Sequence, residues 1–353
     1  MPPSGVDSIH PAFEHAKQQL FRPFRFGQWS RLAFVGLFAG EMTSGGGCNF
    51  NIPNPHTAGH RDWSFAAFPD SAAFGFLIAI LIVAVPLLWL LFLYVSSRMR
   101  FILFDSVIAR RCEVRRMWRA RRAPALQYFV WQIVFTLATL AGMVVLVGIP
   151  ALAAFLLGWF TAPREHLVPL ILGGILLFFV FMGWVMLCLL VHVFTKDFVV
   201  PQMALENVSA FDGWRRLFSM LQTEKGEYAG YAGIKLVLAI GAAIAMGILA
   251  IILIVILLIP FGGLGAIGVI AGQAAGLTWN VFTITLAVVV GCVFLLVLFY
   301  GLALVSVPVI VFFPAYSIYF FAPRYPQLRD IIYPAPPPAP PASPITPAPE
   351  PAG

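Results

Sequence analysis

Long apolar stretches separated by short polar segments dominate the chain. A helix needs about 20 apolar residues to cross the hydrocarbon core, because every backbone N–H and C=O must be satisfied within it. Pro150 predicts a kink or an end in the second stretch, and after Pro308 an aromatic helix continues the last one to Phe321. We predict five long transmembrane helices, over 72–95, 128–160, 168–194, 229–259 and 278–307.

The stretch 29–42 is short for a full crossing. Its glycines and its interfacial Trp29 suit a tilted or thinned span, whereas a re-entrant or interfacial helix is the alternative. Basic residues precede this stretch, and an arginine cluster follows the 72–95 helix. Positive charge marks the cytoplasmic side, so an even number of crossings separates the two flanks. We therefore predict six crossings in the cell inner membrane, with both termini cytoplasmic.

Composition supports this class of protein. Of 353 residues, 60% are hydrophobic and only 10% are charged, and the mean hydropathy is +0.90. A soluble domain keeps about a quarter of its residues charged. We expect an all-α polytopic bundle in three parts: a cytoplasmic amphipathic segment (1–28), a transmembrane domain (29–321) and a Pro-rich cytoplasmic tail (322–353). The tail has too few apolar side chains to fold and could bind a protein partner.

Positive charge is concentrated rather than spread. The chain carries a net charge of +7, and nine arginines lie between Arg98 and Arg122. In a soluble protein such a run would indicate nucleic acid, but between two apolar stretches it indicates a cytoplasmic loop against anionic lipid. We therefore predict lipid partners and no nucleic acid. The headgroup-binding candidates are Arg110, Arg111, Arg115, Arg116, Arg119, Arg121, Arg122, Arg215 and Arg216.

Three cytoplasmic segments have the helical spacing of apolar and basic residues that is typical of interfacial helices. They cover 101–119, 198–216 and 11–29, and the first two resemble each other as a weak internal repeat. The predicted apolar faces are Phe101, Phe104 and Ile108; Phe211, Trp214, Leu217 and Leu221; and Phe13, Ala16, Leu20 and Phe24, the last opposite Glu14, Lys17, Gln18 and Arg25.

Two external loops are predicted. Residues 43–70, rich in Gly, Asn and Pro, predict an ordered or semi-ordered loop. Residues 260–277 are apolar but rich in Gly and Ala, which favours a small-residue hairpin packed on neighbouring helices over a half-helix dipping into the membrane.

Residues suited to chemistry are few. Ionisable residues at bilayer depth indicate function, yet Glu41 is predicted near the outer end of its span, and His192 and Lys235 near cytoplasmic ends. None has a complementary partner in sequence, so structural interfacial roles are favoured over a proton relay. The two weak metal patterns are His10, Glu14 and His15, and His56, His60 and Asp62. We predict no catalytic residue, no cofactor and no metal.

Four segments resemble a diffuse group of uncharacterised prokaryotic multipass membrane proteins, related to membrane domains that accompany some glycerophosphodiester phosphodiesterases. They are AFEHAKQQLFRPFRFGQWSRLAFVGLFAG, SGGGCNFNIP, RMRFILFDSVI and PAYSIYFFAPRYPQL. The resemblance implies a multipass membrane protein and carries no activity. We thus expect a non-enzymatic protein that organises or senses the bilayer or a membrane complex through a basic cytoplasmic face. The alternative is a transporter or permease for a small or lipidic substrate.

Overall fold

The computed structural model describes residues 4–41, 71–159, 166–274 and 281–334, and within these ranges the regular structure is helical, without strands. The α-helices of these ranges are α1 (Ile9–Phe21), α2 (Phe26–Phe38), α3 (Ser71–Ile108), α4 (Val114–Ala120), α5 (Arg122–Met143), α6 (Ile149–Leu156), α7 (Leu167–Phe194), α8 (Val200–Glu206), α9 (Ala210–Thr223), α10 (Lys225–Ala274), α11 (Val281–Val305), α12 (Val307–Phe321) and α13 (Pro326–Ile332). Two π-helical turns, Val144–Gly148 and Thr195–Val199, and a 3₁₀ turn, Ala322–Arg324, join neighbouring helices.

Five helical stretches of the described chain are long and apolar enough to cross a membrane. In the most apolar part of each stretch no residue is buried inside the protein, except in the last stretch, where 11% of the residues are. Such a continuous apolar surface is too large to be exposed to water, so it is covered by lipid. The predicted all-α polytopic membrane bundle is therefore confirmed. The five stretches are Ile78–Ile108, Arg122–Leu156, Leu167–Glu206, Lys225–Gly272 and Thr283–Arg324.

The sixth predicted crossing corresponds to α2. This helix has 13 residues and is about 20 Å long at 1.5 Å per residue, against a hydrocarbon core of about 30 Å. Residues 42–70, which include the predicted external loop and the pattern of His56, His60 and Asp62, lie outside the described residues. A crossing near 29–42 remains a prediction, and so does the cytoplasmic placement of both termini.

The predicted hairpin over 260–277 is wrong for residues 260–274, which continue α10 through Pro260 as far as Ala274. Proline removes one helical hydrogen bond, but an apolar surrounding offers the backbone no better partner than the helix itself. A Cβ placed on Gly263 or Gly265 would meet no atom within 4 Å. These small residues therefore do not mark a packed hairpin. Near Pro150 the predicted irregularity is present as the π turn before α6, which loosens the hydrogen-bond ladder.

The buried core lies at one end of the bundle. The π turn Thr195–Val199 places Phe198 there, completely buried. Around Phe198 lie the rings of Phe194, Tyr228, Tyr231, Phe320 and Phe321. Contacts between aromatic rings stabilise the core beyond the burial of their apolar area.

Helix α1 packs along α12 in this core, and its protein-facing side coincides only in part with the predicted apolar face. The buried face consists of Ala12, His15, Ala16, Gln19 and Leu20, whereas Phe13 is 56% and Phe24 is 58% exposed. The small Ala12 and Ala16 side chains, one turn apart, let α1 approach α12 closely. Of the predicted apolar face, Ala16 and Leu20 are buried against the protein, whereas Phe13 and Phe24 are left for the surroundings of the helix.

Candidate functional site

The ends of the spanning stretches and the short helices between them form a basic surface, which we call the basic end. Its arginines were predicted from the sequence, and eight of the nine candidates are exposed. Two of these eight arginines have an acidic partner within the described chain: Arg116 lies 3.6 Å from Glu113, and Arg216 pairs with Glu206. The six exposed arginines with no such ion pair are Arg110, Arg111, Arg115, Arg119, Arg122 and Arg215.

The ninth candidate, Arg121, is a structural residue. It donates two hydrogen bonds to Asp105 at 2.7 and 2.8 Å and a further one to the carbonyl oxygen of Ala204. These contacts tie the segment between α4 and α5 to the ends of α3 and α8. A guanidinium engaged on both sides has few donors left for a lipid phosphate.

Two further arginines of the sequence cluster are buried. Arg98 donates to the carbonyl oxygen of Trp118 at 2.8 Å, and its guanidinium lies 4.9 Å from the ring centroids of Tyr94 and Trp118. Arg100 donates to Tyr128 Oη at 2.7 Å and to the carbonyl oxygen of Ala39 at 2.8 Å. Both residues anchor α3 to its neighbours.

Helix α9 presents both aromatic and basic side chains. Ser209 caps it by accepting a hydrogen bond from Asp212 N at 3.2 Å. Leu217 of the predicted apolar face is buried, but Phe211 is 64% and Phe218 is 60% exposed. Arg215 lies one turn from each of these rings along the helix, so one exposed stripe combines two phenylalanines with an arginine. This pairing is typical of a helix lying in the membrane interface.

A cleft opens on the basic end between α1, α2 and the turn after α3. Its volume is about 410 Å³. The lining residues are Gln18, Gln19, Arg22, Pro23, Arg25, Gln28, Arg110 and Arg111.

A second feature is a buried charged cluster that the sequence did not reveal. Lys196 forms an ion pair with Glu41, and Lys235 forms one with Asp197; all four side chains are at most 10% exposed. Tyr231 Oη also donates to Asp197 at 2.9 Å. The free energy lost by removing these charges from water is recovered only through such close pairing.

The cluster corrects the interpretation of the ionisable residues. Glu41 was predicted at the opposite membrane face from Lys235, and neither had a visible partner. Their partners, Lys196 and Asp197, belong to the π turn after α7 and bring Glu41 and Lys235 to one level of the bundle. Lys235 does not extend alone to the headgroups. Because the pairs join elements far apart in sequence, no local spacing could have indicated them.

The charged cluster leaves little open space. A cavity of about 20 Å³ lies between Glu41, Arg100, Lys196, Asp197 and Ser317, which is room for about one water molecule.

The N-terminal histidines do not form a metal site with Glu14. His15 is buried, with Nε2 2.9 Å from the carbonyl oxygen of Val107 and Nδ1 3.1 Å from Tyr319 Oη, whereas His10 is exposed. Among the described residues, no group of three or more His, Cys, Asp or Glu side chains is placed to hold a metal ion.

The long apolar helices and the basic end define a multipass α-helical membrane protein. Residues 4–331 match the family described as "Family of unknown function (DUF7544)", and the chain belongs to that family. Neither a curated protein nor a solved structure matches it.

Proposed function

We propose that the protein is a non-enzymatic integral membrane protein that binds anionic lipid headgroups at its basic end and so organises or senses the bilayer or a membrane complex. One observation carries the proposal: six exposed arginines without acidic partners in the described chain lie where the spanning helices end. A basic residue near an anionic membrane surface contributes about 1 kcal/mol to binding.

The exposed aromatic residues support a lipid surface over a soluble acidic partner. Phe211 and Phe218 flank Arg215 on α9, and Phe24 and Phe26 flank Arg25 before α2. Aromatic rings favour the headgroup level of a bilayer, where an adjacent guanidinium reaches the phosphates. Charge and apolar area then act together in binding.

The basic end is proposed to face the cytoplasm of the inner membrane, with both termini on that side, following the positive-inside rule. A role at the bilayer surface also fits the resemblance to membrane domains that accompany some glycerophosphodiester phosphodiesterases. The predicted tail began too early, because Ala322–Arg324 and Pro326–Ile332 are helical. Its Pro-rich remainder is proposed to engage a protein partner in a polyproline conformation.

A transporter or permease has less support. The buried charged cluster favours it, since ionisable groups near membrane depth often line ion pathways. However, the cavity of about 20 Å³ beside the cluster admits no solute larger than water.

Lipid selectivity tests the proposal. The full chain in nonionic detergent micelles is titrated with fluorescent phosphatidylglycerol or phosphatidylcholine at low and high salt. We expect tighter binding of phosphatidylglycerol, and its preference should shrink as salt screens the charges. Changing Arg115→Gln and Arg119→Gln together should reduce that preference about thirtyfold, from roughly 1 kcal/mol per arginine.

The control is the variant Lys17→Gln with Arg329→Gln, which removes the same charge. Lys17 lies 3.4 Å from Glu14 and Arg329 lies 3.8 Å from Asp330, so both cations already have carboxylate partners. We expect this control to keep the lipid preference. Equal binding of the two lipids by the unmodified chain, at every salt concentration, would contradict the proposed function.

A further inference from the structure

The cleft of the basic end has an unbalanced positive charge. Four arginines line it, Arg22, Arg25, Arg110 and Arg111, and no carboxylate does. None of the four forms an ion pair with an acidic residue in the part of the chain that the structure describes. Several guanidiniums around one space are suited to a phosphate, which accepts paired N–H donors from arginine.

The turn that carries two of these arginines is held in place by polar contacts. Arg110 has a left-handed backbone, with φ of 54°, which is unfavourable for a non-glycine residue. Gln28 Nε2 donates to the Arg110 carbonyl oxygen at 3.1 Å, and Arg110 Nη1 donates to Gln18 Oε1 at 3.1 Å. Helices α1 and α2 thus fix the conformation of the turn, which presents the next side chain, Arg111, at the cleft.

Gln19 supplies a second and different feature of the cleft. It lines the cleft but is only 5% exposed. Its Nε2 donates to the carbonyl oxygen of Ser106 at 3.0 Å, while its Oε1 is buried without a hydrogen-bond partner. Neutral His15 has no proton for it, since its Nε2–H faces the carbonyl oxygen of Val107 and its Nδ1 faces Tyr319 Oη, and only the protonated imidazole hydrogen-bonds to Gln19. A buried acceptor without a partner is unfavourable, so a hydroxyl donor would be favoured there.

We propose that this cleft binds a phosphate ester whose alcohol part carries a further, neighbouring hydroxyl. The phosphate contacts the arginines, and the hydroxyl donates to Gln19 Oε1. The inference rests on the proposed function and names the headgroup chemistry at one part of the basic end. A lipid headgroup or a soluble phosphorylated alcohol could supply this chemistry. The exposed Phe21, Phe24 and Phe26 beside Arg22 and Arg25 favour the lipid.

Two pairs of matched probes test the inference. Phosphatidylglycerol and phosphatidylmethanol both carry a singly charged phosphodiester, but only phosphatidylglycerol has headgroup hydroxyls. Glycerol phosphate and methyl phosphate make the same comparison in solution. For the full chain in detergent micelles we expect the hydroxyl-bearing member of a pair to bind about fivefold more tightly, as one neutral hydrogen bond provides.

Two variants separate the two halves of the cleft. Gln19→Met keeps the volume but removes the acceptor, and should abolish the preference for the hydroxyl while retaining anion binding. Arg22→Gln with Arg25→Gln should weaken every phosphate probe by about tenfold or more, and leave the hydroxyl preference intact. Thermal unfolding of each variant shows that it is folded, and Gln28→Met tests whether any glutamine of the cleft gives the same result.

The outcomes distinguish this inference from the proposed function. Equal binding of both members in each pair overturns the cleft ligand, even if phosphatidylglycerol is preferred over phosphatidylcholine and the proposed function stands. An unchanged hydroxyl preference in Gln19→Met also overturns it. Selective binding of glycerol phosphate, lost in Gln19→Met and without any preference for anionic lipid, supports the cleft chemistry and contradicts the proposed function.

Discussion

Arg121 donates two hydrogen bonds to Asp105, from Nε to Oδ2 at 2.7 Å and from Nη2 to Oδ1 at 2.8 Å. Paired contacts of this kind fix orientation as well as distance. Asp105 lies in the last turn of α3 and Arg121 lies between α4 and α5. The pair therefore pins the short segment that presents the exposed arginines of the basic end.

We predict that substitutions of two neighbouring arginines affect different quantities, stability for Arg121 and lipid binding for Arg119. Arg121→Gln should lower the free energy of unfolding by about 2 kcal/mol, because charge-assisted hydrogen bonds to a part-buried carboxylate are lost. Arg119→Gln should leave stability unchanged but weaken the binding of anionic lipid. Denaturant unfolding in micelles and lipid titration measure the two quantities. Loss of lipid binding with full stability in Arg121→Gln would show that its guanidinium is available to headgroups.

The buried ion pair of Glu41 and Lys196 predicts strong coupling. Glu41→Gln should destabilise the fold by about 3–5 kcal/mol, because it leaves a buried ammonium with less compensation. Adding Lys196→Met should recover much of that loss. A double-mutant cycle measured by denaturant unfolding gives the coupling free energy. The exposed pair of Glu14 and Lys17 serves as the control, and additive effects at Glu41 and Lys196 would rule out the coupling.

Close packing of α2 against α12 predicts an effect at Gly36. A Cβ at this position would lie 2.5 Å from Ile310 Cγ2, whereas one at Gly27 would meet nothing within 4 Å. Gly36→Ala should therefore destabilise by about 1–3 kcal/mol through overpacking. Gly27→Ala should be neutral or slightly stabilising, since alanine favours the helix. Thermal unfolding compares the two, and equal midpoints would exclude a tight α2–α12 contact.

The environment of His15 predicts a dependence of stability on pH. Burial lowers the pKa of His15, and the nearby Arg110 adds to this, although the hydrogen bonds of the protonated ring to Val107 and Gln19 oppose it. The unfolded chain then binds more protons between the ordinary histidine value of about 6.5 and the lower folded pKa. The stabilisation is present above about pH 6.5, and it is lost as pH falls towards the folded value.

The matching measurement is unfolding in micelles from pH 7.5 down to 5. The slope from one group should not exceed about 1.4 kcal/mol per pH unit. His15→Gln should flatten this part of the curve, whereas His10→Gln, at an exposed position, should keep it. An unchanged slope in His15→Gln would assign the pH dependence to other groups.

Several elements were predictable because their signal is local. The five long helices follow from uninterrupted apolar runs, and the short helix at 210–223 follows from helical spacing. The spacing of Phe101, Phe104 and Ile108 was wrongly assigned to a separate interfacial helix, because these residues lie in the last turns of α3. The faces of α1 were predicted only in part, since its apolar residues allow two overlapping stripes. The polar His15 and Gln19 lie in the buried stripe because Val107 and Ser106 of α3 offer carbonyl oxygens.

Hydropathy and charge act through each segment's own composition, so the amino-acid order was enough to identify a multipass helical membrane protein with concentrated arginines. Helix packing selected which of those arginines are exposed and which are buried, and it made Arg121 structural. It also paired Glu41 with Lys196, Asp197 with Lys235, and Gln19 with the arginine cleft. These relationships depend on contacts between residues tens to hundreds of positions apart, which packing creates and no local pattern encodes.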